Sequence, residues 1–178
     1  MSHKEGIRQK TGVRRAAMII LLGIISIGFG ERHADFSGKW SLNLRKSKNL
    51  PSSFKNVKSY SMDVDQAGDS IVVAIVFEGA GQRVELPPTI YAFDGKERYR
   101  EDTVRLSQRW ITSSWTTTGQ KLVVSSRVIQ RQGKERRYRE TDIWELTNRN
   151  TLRVHMTQEF EGNDSTYSEQ RLFHRVAG

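Results

Sequence analysis

The clearest indication of the fold is the stretch Asp35-Phe36-Ser37-Gly38-Lys39-Trp40-Ser41-Leu42-Asn43-Leu44. Its apolar residues, among them Phe36, Trp40 and Leu42, share one parity, and its polar residues share the other. Successive side chains of a strand point to opposite faces of a sheet. The stretch therefore predicts a strand with one aromatic-rich, buried face and one wet face.

The same alternation continues to the end of the chain, with turn residues between the segments. Further strands are predicted at 57–66, 71–77, 89–93, 96–101, 108–116, 121–130, 135–146, 151–160 and 166–176. Asp94-Gly95 is typical of a tight hairpin turn between two of them. The pattern predicts an all-β fold, an antiparallel up-and-down meander of roughly 8–10 strands that closes into a barrel and so removes its edges. A sandwich of two sheets is the alternative.

Residues 1–34 differ in composition from the rest of the chain. A basic start is followed by the apolar run 16–29 and by small residues at Gly28 and Gly30. This order is typical of a helical signal peptide, cut after Gly30 or after Ala34. An uncleaved anchor in the inner membrane is the alternative. We therefore expect a single domain over residues 35–178, exported to the bacterial periplasm or the exterior.

The net charge and the absence of cysteine limit the classes of binding partner and of cross-link that the chain can have. The net charge is +9, but residues 1–34 carry six basic and two acidic side chains, which leaves +5 for residues 35–178. This excess predicts weak attraction to an anionic envelope surface rather than binding of nucleic acid. Its densest part is a basic hairpin, Arg127, Arg131, Lys134, Arg136, Arg137 and Arg139. With no cysteine, no disulfide framework is expected.

The first predicted strand carries a Gly-x-Trp motif, Gly38 and Trp40. In an exported meander this motif resembles the lipocalins and the broader calycin group. In that group the tryptophan packs at the closed end of the barrel, beneath a cation from near the last strand. The resemblance implies structural roles for Gly38 and Trp40, with Arg171 or Arg175 as the cation.

A closer resemblance is to small secreted bacterial proteins of unassigned function that begin Asp-Phe-Ser-Gly-x-Trp. The shared motifs span most of residues 35–178 and are Lys46-Ser47, Asp94-Gly95-Lys96, Trp115 to Val124, and Trp144-Glu145-Leu146 to Val154. The chain departs from that group at 147–150, where a Ser-x-Asp-Gly turn is usual. The resemblance implies a lipocalin-like barrel without an established activity.

The segment 135–146 contains the least ordinary pattern. Tyr138, Glu140 and Asp142 share the parity of Trp144, so they are expected to face the interior. Buried carboxylates are costly unless they are paired, hydrated or protonated, and Arg109 is a candidate partner. The predicted ligand-binding residues are Arg109, Trp115, Tyr138, Glu140 and Asp142. Alternatively, a bulge near Thr141 returns the acids to solvent, or they lie in a wet barrel mouth.

Enzyme motifs are lacking in the sequence. No serine lies in a Gly-x-Ser-x-Gly elbow, and Gly79-Ala80-Gly81 lacks the lysine of a phosphate loop. His174 is assigned an inward position and His155 a wet one, and they do not form a metal-ligand pair. We expect no enzyme, cofactor or metal, but a binding protein for a small apolar or amphipathic ligand. The alternative is a solid barrel that contacts an envelope protein or an anionic polymer.

Overall fold

A computed structural model describes residues 33–103, 106–162 and 165–176, which belong to one compact unit. These residues form ten strands and one short 3₁₀ helix, Ser52–Asn56. The strands are β1 (Gly38–Leu42), β2 (Val57–Ala67), β3 (Ser70–Gly79), β4 (Gln82–Ala92), β5 (Arg98–Asp102), β6 (Ser107–Trp115), β7 (Lys121–Gln130), β8 (Arg136–Asn148), β9 (Thr151–Phe160) and β10 (Thr166–Arg175). The predicted signal segment lies outside the described residues. No helix in the described part of the chain has the length and apolar character needed to span a bilayer.

All ten strands belong to one antiparallel sheet, in the order β4-β3-β2-β1-β10-β9-β8-β7-β6-β5. The sheet curls into a half-barrel, and the side chains on its concave face form the core. Trp40, Ile71 and Leu152 are fully buried there. Because one parity of almost every strand is apolar, curling buries these faces against one another. The predicted all-β, up-and-down antiparallel fold is confirmed.

The first and last strands, β1 and β10, pair with each other inside the sheet, and Trp40 lies opposite Arg175 there. The Arg175 guanidinium carbon lies 4.3 Å from the centre of the Trp40 ring. Arg175 also donates to the Ser37 carbonyl and, through Nε, to the Arg149 carbonyl at 3.0 Å. Of the two cations that the resemblance suggested for this contact, Arg175 is the one that lies over Trp40.

Strand β4 is longer than the sequence pattern predicted, because it begins at Gln82 rather than at Thr89. Its pairing with β3 shifts register where Pro87 and Pro88 lie, so that Thr89 faces Val73 and Leu86 faces Ile75. This bulge moves the inward positions from even numbers, Val84 and Leu86, to odd numbers, Thr89 and Tyr91, which breaks the alternation. Prolines are tolerated here because β4 is an edge strand.

The predicted hairpin at Asp94-Gly95 is wrong. β4 and β5 follow each other in sequence but lie at opposite edges of the sheet. The chain between them crosses a seam where β4 approaches β6. Ser113 Oγ donates to the Ala92 carbonyl at 2.6 Å, and the amide of Gly95 donates to the Ser113 carbonyl at 3.3 Å. The chain does turn there, with φ +69° at Gly95, but the turn serves the crossing of the seam rather than a hairpin.

The inward assignment of His174 is also wrong. Glu169 and Phe173 are the fully buried residues of β10, so their parity faces the core and His174 faces outward. There the His174 Nε2 atom lies 2.9 Å from Asn43 Nδ2. The error arose because Leu172 and Val176, which share the parity of His174, are apolar but lie on the outer side.

Candidate functional site

The concave side of the sheet encloses a cavity of about 330 Å³. The 3₁₀ helix lies at its rim, where Phe54 packs 5.7 Å from the Tyr60 ring and 5.4 Å from the Arg171 guanidinium. Its apolar wall consists of Phe54, Met62, Val73, Ile75, Trp144, Val154, Met156 and Phe173. Its polar groups are Tyr60, Tyr91, Arg109, Gln130, Tyr138, Glu140, Asp142, Gln158, Tyr167 and Arg171. This volume is at the small end of the range for small-molecule sites.

One ion pair in the cavity joins β6 to β8. Arg109 Nη1 lies 2.6 Å from Glu140 Oε1, and Gln158 Nε2 donates to Glu140 Oε2 at 2.7 Å. Burial pushes the pKa of Glu140 up, but Arg109 and Gln158 outweigh this effect and hold that pKa below its ordinary value. Burial likewise opposes the charge on Arg109, yet Glu140 keeps the pKa of Arg109 above its ordinary value. Both groups are therefore charged, and each neutralises the other.

A second ion pair lies on β10. Arg171 Nη2 contacts Glu169 Oε1, and Tyr167 Oη donates to Glu169 Oε2 at 2.9 Å. Burial would lower the pKa of Arg171, but Tyr60 and Glu169 keep it above its ordinary value. Burial and the bond to Glu169 raise the pKa of Tyr167 to about 12. This pair is also internally neutral.

Asp142 differs from these groups because it has no hydrogen-bond or ion-pair partner among the described residues. It lines the main cavity and also a smaller space of about 70 Å³ towards β4. Burial, and secondly the charge of Glu140, raise the pKa of Asp142 to about 7. Burial and Asp142 in turn raise the pKa of Tyr91 to about 12. Asp142 is therefore partly ionised near neutral pH and has free acceptor oxygens.

The structure places four of the five predicted ligand-binding residues in the lining of this cavity, namely Arg109, Tyr138, Glu140 and Asp142. The bulge near Thr141 is ruled out, since β8 pairs with β7 in regular register from Arg136 to Glu145. Trp115 is the exception. It does not line this cavity, because it stacks on His33 at 4.6 Å and on Phe36 at 5.5 Å near the start of the described chain.

Sequence reasoning did not place Arg171, Glu169, Gln158 or Tyr91 at the cavity or in its ion pairs, although it named Arg171 as a candidate cation over Trp40. The inward position of Arg171 and Glu169 could have been predicted, because both share the parity of Arg175. Placing Arg175 over Trp40 therefore assigns all three to the inner face. Gln158 lies directly opposite Glu140 in the sheet, which requires knowledge of the register. The inward position of Tyr91 could not be predicted, because the bulge in β4 changes the parity of the inward residues.

The acidic groups around the cavity differ in whether they are already paired. Within the described part of the chain, no three His, Asp or Glu side chains gather into a group that could hold a metal ion. The carboxylates of Glu140 and Glu169 are already paired with arginines, whereas among the described residues that of Asp142 is not. Beside the apolar wall, Asp142 is the carboxylate that no described arginine pairs with.

No protein-family model matches this chain, and comparison with the curated proteins finds no match. The chemistry of the cavity is therefore the basis for assigning a function.

Proposed function

We propose that this protein is an exported, lipocalin-like binding protein of the bacterial envelope that holds a small apolar or amphipathic molecule and catalyses no reaction. The observation that supports the proposal is the cavity of about 330 Å³ with an apolar wall and a few polar groups. Small-molecule sites commonly have this composition, in which apolar surface supplies affinity and polar groups fix orientation. A solid barrel would bury these aromatic side chains against one another.

The two ion pairs support the same proposal. Burying an ion pair costs desolvation that the attraction only partly offsets, and a well-packed apolar core would often be as stable. Arg109–Glu140 and Arg171–Glu169 therefore contribute little that packing could not supply. They do keep polar groups at the surface of the cavity, where they orient a ligand's polar end.

The outer face favours a second contact, with an anionic envelope surface. Tyr99, Trp110, Arg127 and Arg139 lie directly opposite one another on β5, β6, β7 and β8. The Arg127 guanidinium lies 5.1 Å from the Trp110 ring, and Tyr99 is 54% exposed. Two arginines side by side on neighbouring strands repel each other, and the ion pair of Arg127 with Glu97 at 2.6 Å offsets part of that repulsion. An anionic polymer or headgroup layer would relieve that repulsion.

Native mass spectrometry of the protein purified from the envelope of its own host tests the proposal. We expect a small molecule in stoichiometric amount that leaves on denaturation. The matched variants are Met156→Trp, which fills the cavity, and His155→Trp, which changes the exposed neighbour on β9. Met156→Trp should lose the molecule and His155→Trp should keep it. An empty protein that instead retains an anionic polymer or a protein would overturn the carrier proposal and favour the interaction module.

A further inference from the structure

The charge balance of the cavity identifies the kind of polar end that a ligand needs. Arg109 with Glu140 and Arg171 with Glu169 are two neutral pairs. Asp142 is the remaining charged group of the lining, so the set carries one net negative charge whenever Asp142 is ionised. Both guanidinium groups already hold carboxylates. An anionic ligand would therefore compete with a carboxylate for its guanidinium and meet the charge of Asp142 whenever that group is ionised, and both effects cost free energy.

Accessibility points to the same residue. Trp144 Nε1 and Arg171 Nε also lack hydrogen-bond partners among the described residues, but both atoms are sealed from solvent. A ligand in the cavity cannot reach them without displacing side chains. The Asp142 side chain, in contrast, is only partly buried and lines the cavity. Asp142 therefore offers free and reachable acceptor oxygens, and their complement is a donor or a cation.

The aromatic rings around the acceptor extend this argument. Tyr91 and Trp144 both line the cavity with Asp142, and their ring centres are 6.4 Å apart in an edge-to-face arrangement. The faces of aromatic rings attract cations, most strongly where water is excluded. A carboxylate beside two aromatic rings is a suitable environment for an ammonium group.

From this arrangement we infer that the cavity binds a small amphipathic amine, with its ammonium group on the Asp142 carboxylate and its apolar part against Met62, Met156 and Phe173. This inference rests on the proposed function, since it names the ligand class for the same cavity. It makes Asp142 the residue that selects amines over alcohols and carboxylates of equal length.

Binding of such an amine depends on pH. The charged or titratable groups that act on Asp142 are Glu140 on its own strand, Arg109 on β6, Arg171 and Glu169 on β10 and, through the smaller space, Tyr91 on β4. Since Asp142 has a pKa of about 7, it is mostly neutral at about pH 5.5 and mostly ionised at about pH 8.5. An alkylamine stays protonated throughout this range. Affinity should therefore rise roughly tenfold to thirtyfold between the two values.

Isothermal titration calorimetry with hexylamine, hexanol and hexanoate tests the inference. We expect hexylamine to bind most tightly and to release protons near pH 7, as shown by a dependence of the heat on the buffer. Asp142→Asn should keep hexanol binding but lose the preference for the amine, the proton release and the pH dependence. Asp63→Asn, an exposed carboxylate on β2, is the control and should change none of them.

The outcomes separate the two proposals. Hexanol or hexanoate binding as tightly as hexylamine, or an amine preference that survives in Asp142→Asn, would overturn the amine inference and leave the carrier proposal standing. If none of the three probes binds and Met156→Trp loses no molecule in the native spectra, both proposals fail.

Discussion

At the scale of single residues, Asp142 links ligand chemistry to stability. Its pKa of about 7 lies above the ordinary value of 3.8, chiefly because of burial. Between about pH 4 and pH 7 the folded chain holds a proton that the unfolded chain has released. The free energy of unfolding therefore falls as the pH rises through this window. The carboxylate costs stability at neutral pH, as binding residues often do.

Asp142→Asn should remove this cost. Because the side chain is partly accessible, we expect a gain of only about 1–2 kcal/mol at pH 8 and none at pH 4. Urea denaturation at several pH values measures it, with Asp63→Asn as the control for the loss of one surface charge. Stability curves of the parent and Asp142→Asn that run parallel over the whole range would contradict the prediction.

At the scale of one strand, β1 depends on a glycine. Gly38 has φ +123°, and a Cβ atom there would lie 2.5 Å from Arg175 Nη1. A larger residue would therefore strain the backbone and displace the guanidinium that covers Trp40. We expect Gly38→Ala to lower the free energy of unfolding by roughly 2–4 kcal/mol.

The matched control for Gly38→Ala is Gly68→Ala, in the turn between β2 and β3. Gly68 also has positive φ, +60°, but a Cβ atom there meets no atom within 4 Å. It should cost about 1 kcal/mol from backbone strain alone. Equal costs in the two variants, measured by urea denaturation, would show that the Arg175 contact is not what makes Gly38 necessary.

The strands themselves were the most predictable elements. The alternation of apolar and polar residues over 57–66 and 121–130 matches β2 and β7 closely, because each strand has one buried face and one more exposed face. β4 was shortened because the bulge at Pro87 and Pro88 changes the parity that alternation detects. The sequence pattern does not reveal which strands pair, so Asp94-Gly95 predicts a hairpin between two strands that lie at opposite edges of the sheet. Turn residues specify a local bend but not which strand lies beside the next.

The candidate site was predictable in part for the same reason. Glu140 and Asp142 share the parity of Trp144 within one strand, so one aromatic anchor orients all three. The partners of Glu140 are Arg109 on β6 and Gln158 on β9, which the sequence of β8 does not reveal. The ion pair on β10 can be predicted only if Arg175 is known to face inward. A single sequence gives the faces of each strand, whereas the cavity depends on the register between strands.

At the scale of the whole molecule, the seam is held by few interactions. Arg100 on β5 donates to Thr89 Oγ1 and, through Nη2, to the Pro87 carbonyl at 2.8 Å, both on β4. Arg100→Gln should speed amide hydrogen exchange in β4 and β5 by about three- to tenfold. Arg83→Gln, which removes surface ion pairs within the β3–β4 hairpin, is the control and should leave exchange across the seam unchanged. Equal exchange in the two variants would mean that Arg100 does not hold the seam.

The pairing of β1 with β10 has a consequence for how the cavity comes into being. β1 to β4 and β5 to β10 are two meanders in which each strand pairs with its neighbour in sequence. The short β1–β10 register joins them, and it is also the contact most distant in sequence. Tyr60 and Val73 come from the first meander, Glu140 and Gln158 from the second. The cavity therefore exists only after the two halves have docked, and a molecule that bound inside it would hold them together.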